Sequence, residues 1–452
     1  MNKSTEYRLS LEDEAGIRKV ALYNPYESTL IWQDSLEPIV SLNTNPLKYT
    51  QAVESLSPQH GVGKVRELRR IKIQMGFACN YSCTYCSQNN QRAFSKTTSK
   101  QTLDKVEHFY EKMQTWFDGG SDGKGRDVGL EFWGGETLLY WEAVLKLAKL
   151  LREKYPNIGL ALFTNGSIVT KSMADEAAQL RLHFVVSHDG PTFNEDRAKD
   201  PFDIPAQAEN LHYLYHKLSP LKLISFNATV SPKNYSMIEI RKYIANKLNV
   251  DPKKVPVTYD LATPYDSHGL NYVTLPEKRK ELINLIFSDL MARYPFDMKL
   301  GMADNIVHDF FESLANNRDA KFVGQKCTMD QPDSLAVDID GNILTCQNVT
   351  AKGGHKIGHV DEFEKALLNT AYHWSSRKEC VNCPVVQICK GSCMFLENQL
   401  WTSACDQHFT WSLAYLSFAL YLQTNYRLVE IEGAQIRREG INKVEVLNSR
   451  IV

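Results

Sequence analysis

A chain of 452 residues can bury a large core in two or three domains, so its cysteines are not needed to staple a small scaffold. Lys plus Arg total 52 against 53 for Asp plus Glu, a balance that excludes the basic field expected of a nucleic-acid or anionic-membrane binder. The longest apolar run, residues 409–423, is shorter than the roughly 20 residues of a bilayer span, and the polar start "MNKSTEYRLSLEDEAG" has no apolar signal core, so a cytoplasmic protein is expected.

In chain order, residues 1–68 hold two apolar runs, "IRKVALYN" and "STLIWQ", around the turn-rich "PYE". They predict a small β hairpin and then a polar connector, a β-containing segment that caps the downstream domain or docks a peptide. From about residue 70, strand-like runs at 69–76, 128–136, 158–166, 182–190, 221–230 and 254–262 alternate with segments whose apolar residues recur at helical spacing. Six successive β-α units predict a parallel sheet over 69–310, with ligand sites at the strands' carboxyl ends, where "GG", "NG" and "DG" stand. Residues 118–127, "DGGSDGKGRD", read as a flexible tract. Residues 320–408 carry seven cysteines in loop-rich sequence too poor in apolar periodicity to fold without ligands, and 409–452 read as a helical extension.

All ten cysteines are bunched: Cys79, Cys83 and Cys86, then Cys327, Cys346, Cys380, Cys383, Cys389, Cys393 and Cys405. Clustered thiols in a large chain of this kind point to metal rather than to a disulfide framework. Cys79-x3-Cys83-x2-Cys86 supplies three sulfurs, one fewer than the irons of a cubane, which leaves one iron open to a chelating small molecule. Zinc would want four tetrahedral ligands, and the closest histidines, His60 and His108, are far along the chain.

With aromatic Tyr85 just before the last cysteine, at the end of the first strand, this motif resembles that of the radical S-adenosylmethionine (SAM) superfamily, and the resemblance covers roughly residues 69–300. It implies a partial (β/α)6 barrel, a TIM-like α/β fold. In that family SAM chelates the open iron of a [4Fe-4S] cluster and is cleaved reductively to methionine and a 5′-deoxyadenosyl radical. Gly134, Gly135 and Glu136 of "FWGGET" match the family's GGE motif at the SAM amino group, where glycines admit close backbone approach and a carboxylate accepts from an ammonium. Thr164 and Asn165 of "FTNG", Ser187 and Asp189 of "SHDG", and Asn227 of "SFNATV" fall where similar enzymes contact SAM or substrate, although such residues also serve as plain Asx turns and strand caps. Tyr85 would pack near the adenine by the same resemblance.

The remaining cysteines, Cys327-x13-Gly341-x4-Cys346, Cys380-x2-Cys383-x5-Cys389-x3-Cys393 and Cys405, resemble the seven-cysteine pattern of SPASM domains. That resemblance implies two auxiliary iron-sulfur clusters, a distal one on Cys380, Cys383, Cys389 and Cys405 and one nearer the barrel on Cys327, Cys346 and Cys393. Spacing alone also permits a zinc ribbon on Cys380-Cys383 and Cys389-Cys393. Some family members have an eighth cysteine where this chain has Asp333, so the near cluster keeps an open iron or a non-cysteine ligand, for which Asp330 and Asp333 are candidates.

Enzymes of this layout mostly modify peptides or proteins. The resemblance therefore implies hydrogen abstraction from a peptide or protein substrate and an external electron donor such as flavodoxin or ferredoxin, with no nucleic acid and no membrane partner. Sulfatase maturases place an acid directly after the second SPASM cysteine, whereas Gln347 here does not titrate. The expectation is thus an oxidative crosslink in a ribosomally made peptide, ahead of formylglycine formation, a small-molecule oxidoreductase, or a non-enzymatic zinc-binding scaffold. Tyr259, Asp260 and His268, near the end of the sixth strand, are candidates to face the substrate, and no motif identifies a catalytic residue.

Overall fold

The computed structural model describes residues 6–44, 56–89, 98–117, 128–272, 275–299, 305–438 and 440–448; the 118–127 tract lies outside them. Strands β1 (Tyr7–Glu12), β2 (Arg18–Asn24) and β3 (Thr29–Trp32) come first, followed by the two-residue β4 (Val62–Gly63). The six expected strands are β5 (Arg70–Gln74), β6 (Gly129–Trp133), β7 (Gly159–Thr164), β8 (Leu182–Ser187), β9 (Ile224–Val230) and β10 (Val257–Leu261). They pair in parallel, each with its neighbour in sequence.

Parity along each strand explains the layers. Leu182, Phe184 and Val186 of β8, and Phe226 and Ala228 of β9, are buried on the face that shares a core with Leu147, Ala177, Leu214 and Ile244 of the intervening helices. Alternate residues, among them Ser187, Asn227 and Thr229, are left for the inner, polar face. The helices begin and end where local chemistry dictates: Thr170 and Ser236 accept from the backbone amides of Met173 and Glu239, and Arg181 and Asn249 close the same two helices in the left-handed region.

The sheet then grows from its β5 edge. Strand β11 (Ser334–Asp338) pairs in parallel with β5, and β12 (Asn342–Leu344) and β13 (Lys356–His359) follow antiparallel, giving the nine-stranded order β10-β9-β8-β7-β6-β5-β11-β12-β13. The short β14 (Leu367–Leu368) pairs with β4. A helix, Asn398–Thr424, is buried along most of its length. Among the described residues no helix is long and apolar enough to cross a membrane.

The stretch read as a helical extension is helical only to Thr424. It continues as β15 (Arg427–Ile436) and β16 (Ile441–Glu445). These join the N-terminal strands in a five-stranded antiparallel sheet, β16-β15-β1-β2-β3, with Leu9 opposite Ile431. The expected hairpin of residues 1–68 is therefore part of a larger sheet that depends on the other end of the described chain.

Candidate active site

The loop that leaves β5 carries Cys79, Cys83 and Cys86, and the turn after β6 packs directly beneath it. Gly135 donates its amide to Gly76 O at 2.9 Å, Glu136 donates to Ala78 O at 2.8 Å, and the Tyr140 hydroxyl accepts from Ala78 N at 3.0 Å. A Cβ on Gly135 would stand 2.6 Å from Phe77 O, so the glycine is required by the cysteine loop itself. All three cysteines line one cavity of about 440 Å³, as do Gly134 and Gly135. Burial, with Cys86 and Cys79 close by, pushes the Cys83 thiol up to about 11 although the nearby Arg197 opposes the shift.

Glu136 does not line this cavity. Its carboxylate is 1% exposed and fully engaged: it accepts from Leu138 N at 2.9 Å, Thr164 Oγ1 at 2.7 Å and Asn165 N at 2.7 Å. Asn165 in turn donates to Asn80 Oδ1 at 2.9 Å. The acid of "GGE" thus ties together the turns after β6 and β7, and Asn165 ties them to the cysteine loop, instead of meeting a ligand's ammonium directly. Thr164, Asn165, Ser187 and Asn227 do line the cavity.

Asp189 lies behind the cavity wall, buried, and grips Arg197 through two bonds of 2.7 and 3.0 Å. It also accepts from the Tyr85 hydroxyl and from Thr229 N at 2.9 Å. Burial alone would raise the Asp189 carboxyl, but the Arg197 guanidinium, Tyr85 and Thr229 together hold it below the ordinary carboxylate range. Arg197, which sequence reasoning missed, lines the cavity as a fixed cation, with its guanidinium 5.5 Å from the centre of the Tyr85 ring. Its only signal in sequence is a basic residue eight positions after Asp189 on an otherwise acidic stretch, "NEDR".

Cys327, Cys346 and Cys393 line the same cavity, together with Lys326, Gln347 and His408. Gln74 of β5 donates to Gln347 O at 2.6 Å, and Gln88 of the first cysteine loop donates to Asn348 at 3.1 Å, so the two cysteine trios are held by direct bonds between their loops. Burial and the neighbouring thiols push Cys327 up to about 12, and burial above all raises Cys393 to about 11. A second cavity of about 550 Å³ shares Tyr265, Cys346, Asn348 and Cys393 with the first and reaches Glu397 and Leu400.

Asp330 and Asp333 do not line either space. Asp330 is buried, accepts from Gln325 N at 3.0 Å and has its carboxyl raised by burial; Asp333 sits at the amino end of β11, beside Arg69. Of the three residues near the sixth strand's end, only Asp260 lines the first cavity. Tyr259 turns away to donate to Met237 O at 2.8 Å, and His268 is exposed.

Cys380, Cys383, Cys389 and Cys405 line a separate enclosure walled by Val385, Val386, Trp401, Phe409 and Arg437. Burial first, and each other's proximity second, raise Cys389 to about 11 and Cys380 and Cys383 further. Four convergent soft donors are a set that a bound cation would hold as thiolates, which suits an iron-sulfur group or zinc. The three cysteines of the first loop, open to a cavity with polar side chains in its wall, suit a cluster with one exchangeable position.

Residues 73–213 match the radical SAM superfamily. An uncharacterized protein of Methanocaldococcus jannaschii is 20% identical over 305 residues, 67% of this chain and 92% of that protein. The radical SAM cyclopropyl synthase TigE of Paramaledivibacter caminithermalis is 19% identical over 342 residues, 73% of this chain and 68% of that enzyme. Among solved structures, anSMEcpe with bound AdoMet and Cp18Cys peptide superposes with a TM-score of 0.52 at 17% identity, over 79% of this chain and 99% of that one. Carrying a radical SAM domain on a partial barrel whose first loop holds three clustered cysteines, the chain is a radical SAM enzyme, of a superfamily that uses a [4Fe-4S] cluster and SAM.

Proposed function

We propose that the chain is a peptide-modifying radical SAM/SPASM enzyme that installs an oxidative crosslink in a ribosomally made peptide. The observation that carries this reading is a single cavity walled by Cys79, Cys83 and Cys86 and also by Cys327, Cys346 and Cys393. Cys79, Cys83 and Cys86 would hold the SAM-binding cluster. The two C-terminal cysteine sets would hold auxiliary clusters, and an external one-electron donor such as flavodoxin or ferredoxin would supply reductant. When bound, cluster and SAM supply hydrogen abstraction from an unactivated carbon; the rest is done by the protein.

Gly134 and Gly135 bring the backbone to the cavity, and Thr164, Asn165, Ser187 and Asn227 offer neutral donors and acceptors around it. Tyr85 contributes an aromatic face. Arg197, fixed by Asp189, stands in the cavity wall as a cation of the sort that attracts a carboxylate. The second cavity extends the site past Tyr265 and gives an elongated substrate room beyond the reacting carbon. A peptide substrate accords with the peptide bound to anSMEcpe and with the shared fold. Formylglycine formation is less well served, because Gln347 stands in the cavity wall where an acid would be needed.

Anaerobically reconstituted protein should bind about 12 irons per chain, against one to two zincs for a scaffold. With SAM and reductant it should release 5′-deoxyadenosine, and the Cys79→Ala, Cys83→Ala, Cys86→Ala variant should release none. Undiminished release by that variant would refute the reading. Coexpression with a candidate precursor should yield a peptide lighter by two hydrogens, which intact-mass analysis detects.

A further inference from the structure

The C-terminal hairpin, which no cysteine motif predicts, reaches into the enclosure of Cys380, Cys383, Cys389 and Cys405 through one residue. Arg437 lines it, is 2% exposed, and brings Nη2 to 3.5 Å from Cys405 Sγ. Its backbone is left-handed, with φ of 56°, and its amide donates to Asn382 O at 2.5 Å, within the Cys380-x2-Cys383 loop. The guanidinium lies 4.2 Å from the centre of the Phe409 ring and donates to Asp406 Oδ1 at 2.6 Å. Arg438 donates to the same oxygen at 2.8 Å, and Arg279 stands 3.8 Å from it. Asp406, next in the chain to Cys405, thus holds in place the buried guanidinium that reaches the sulfur.

We infer that Arg437 sets the electron affinity of the group held by Cys380, Cys383, Cys389 and Cys405, raising its reduction potential through a hydrogen bond to Cys405 and a buried positive charge. The inference rests on the auxiliary-cluster reading proposed above. A four-thiolate cluster gains negative charge on reduction, and its potential follows net charge, hydrogen bonds to sulfur and solvent exposure. Arg437 acts on all three: it is a cation, it donates to a ligand sulfur, and with Phe409 and Trp401 it excludes water. Burial makes the effect large, because a charge in a low-dielectric wall is weakly screened. The backbone bond to Asn382 fixes the guanidinium relative to the cluster loop, so Arg437 is a positioning residue and not a catalytic one.

The test is a potentiometric titration followed by EPR on full-length protein in which Cys79, Cys83 and Cys86 are alanine, so that only the C-terminal cysteines hold iron. The relevant signal is the one lost in Cys383→Ser. Arg437→Gln should lower the ratio of reduced to oxidised cluster at fixed potential about tenfold, a downward shift of about 59 mV for one electron. Asp406→Asn, which removes the opposing carboxylate, should shift the potential upward. Shifts in the same direction, as general loosening would give, or no shift in either variant, would overturn the role of Arg437 while leaving the cluster assignment intact. Iron content and signal unaffected by Cys383→Ser, or zinc in this site, would overturn both.

Discussion

The cysteine loop after β5 and the four-cysteine enclosure solve opposite problems with the same side chain. The first lies open on a roomy cavity, shaped from below by Gly135 and the Glu136 clamp, with the cation of Arg197 in its wall. The second is small and walled by Trp401, Phe409, two valines and Arg437, and a sheet assembled from distant segments stands over it through Tyr26, whose hydroxyl donates to Cys380 O at 2.6 Å. Openness suits an iron that must exchange a small-molecule ligand; enclosure suits a group that only holds or passes charge. The difference is written in the walls rather than in the sulfurs.

The most severe break of this contrast is to empty each site in turn. Replacing Cys79, Cys83 and Cys86 by alanine should remove about four irons and all 5′-deoxyadenosine release while leaving the melting temperature nearly unchanged. Replacing Cys380, Cys383, Cys389 and Cys405 should remove as many irons and lower the melting temperature markedly, because a group bound by all four sulfurs ties the Cys380–Cys389 loop to the helix that carries Cys405. Equal melting temperatures for the two variants would erase the distinction.

Acid should separate the regions next. His373, buried beside Trp374 on the C-terminal side, has its pKa lowered from 6.5 to about 4 by burial. The unfolded chain takes up a proton there first, so the stability contributed by neutral His373 is present above pH 6.5 and lost as pH falls toward about 4. The loss is on the order of 3 kcal/mol. Asp189 has a depressed pKa, so its contribution persists above the ordinary value of 3.8 and is lost only as pH falls through the lower folded value. Chemical denaturation across this range should show weakening before the Asp189–Arg197 pair titrates, and His373→Phe should flatten the curve between pH 6.5 and about 4.

Within the barrel, Gly135→Ala should cost roughly 1–3 kcal/mol and impair SAM cleavage, since the new methyl meets backbone carbonyls that cannot rotate away. Differential scanning calorimetry and 5′-deoxyadenosine assays measure the two effects. Thr164→Val, which leaves one Glu136 oxygen short of a donor, should be mildest at about 1 kcal/mol.

How far these regions can be read from sequence differs for physical reasons. β5 to β10 are legible because each strand is a short apolar run followed by its own helix, and the cysteine motifs because sulfur spacing is local. The role of Glu136 is not legible: its partners Thr164 and Asn165 lie on the next strand, and a buried acceptor looks in sequence like an exposed one. Arg197 is hidden for the same reason, its meaning fixed by Asp189. The five-stranded sheet escapes because β1 pairs with β15 across nearly the whole described chain, and no local pattern encodes that pairing.

That pairing also dictates an order of events during synthesis. β1 to β3 leave the ribosome early, yet the edge of β1 that receives β15 stays unsatisfied until residues 427–436 have been made. Arg437 comes immediately after, so the four-cysteine enclosure cannot close before the last hairpin arrives. Every cysteine is therefore translated while this site is still accessible, an interval in which whatever ion or cluster the four sulfurs take can be delivered before the door shuts.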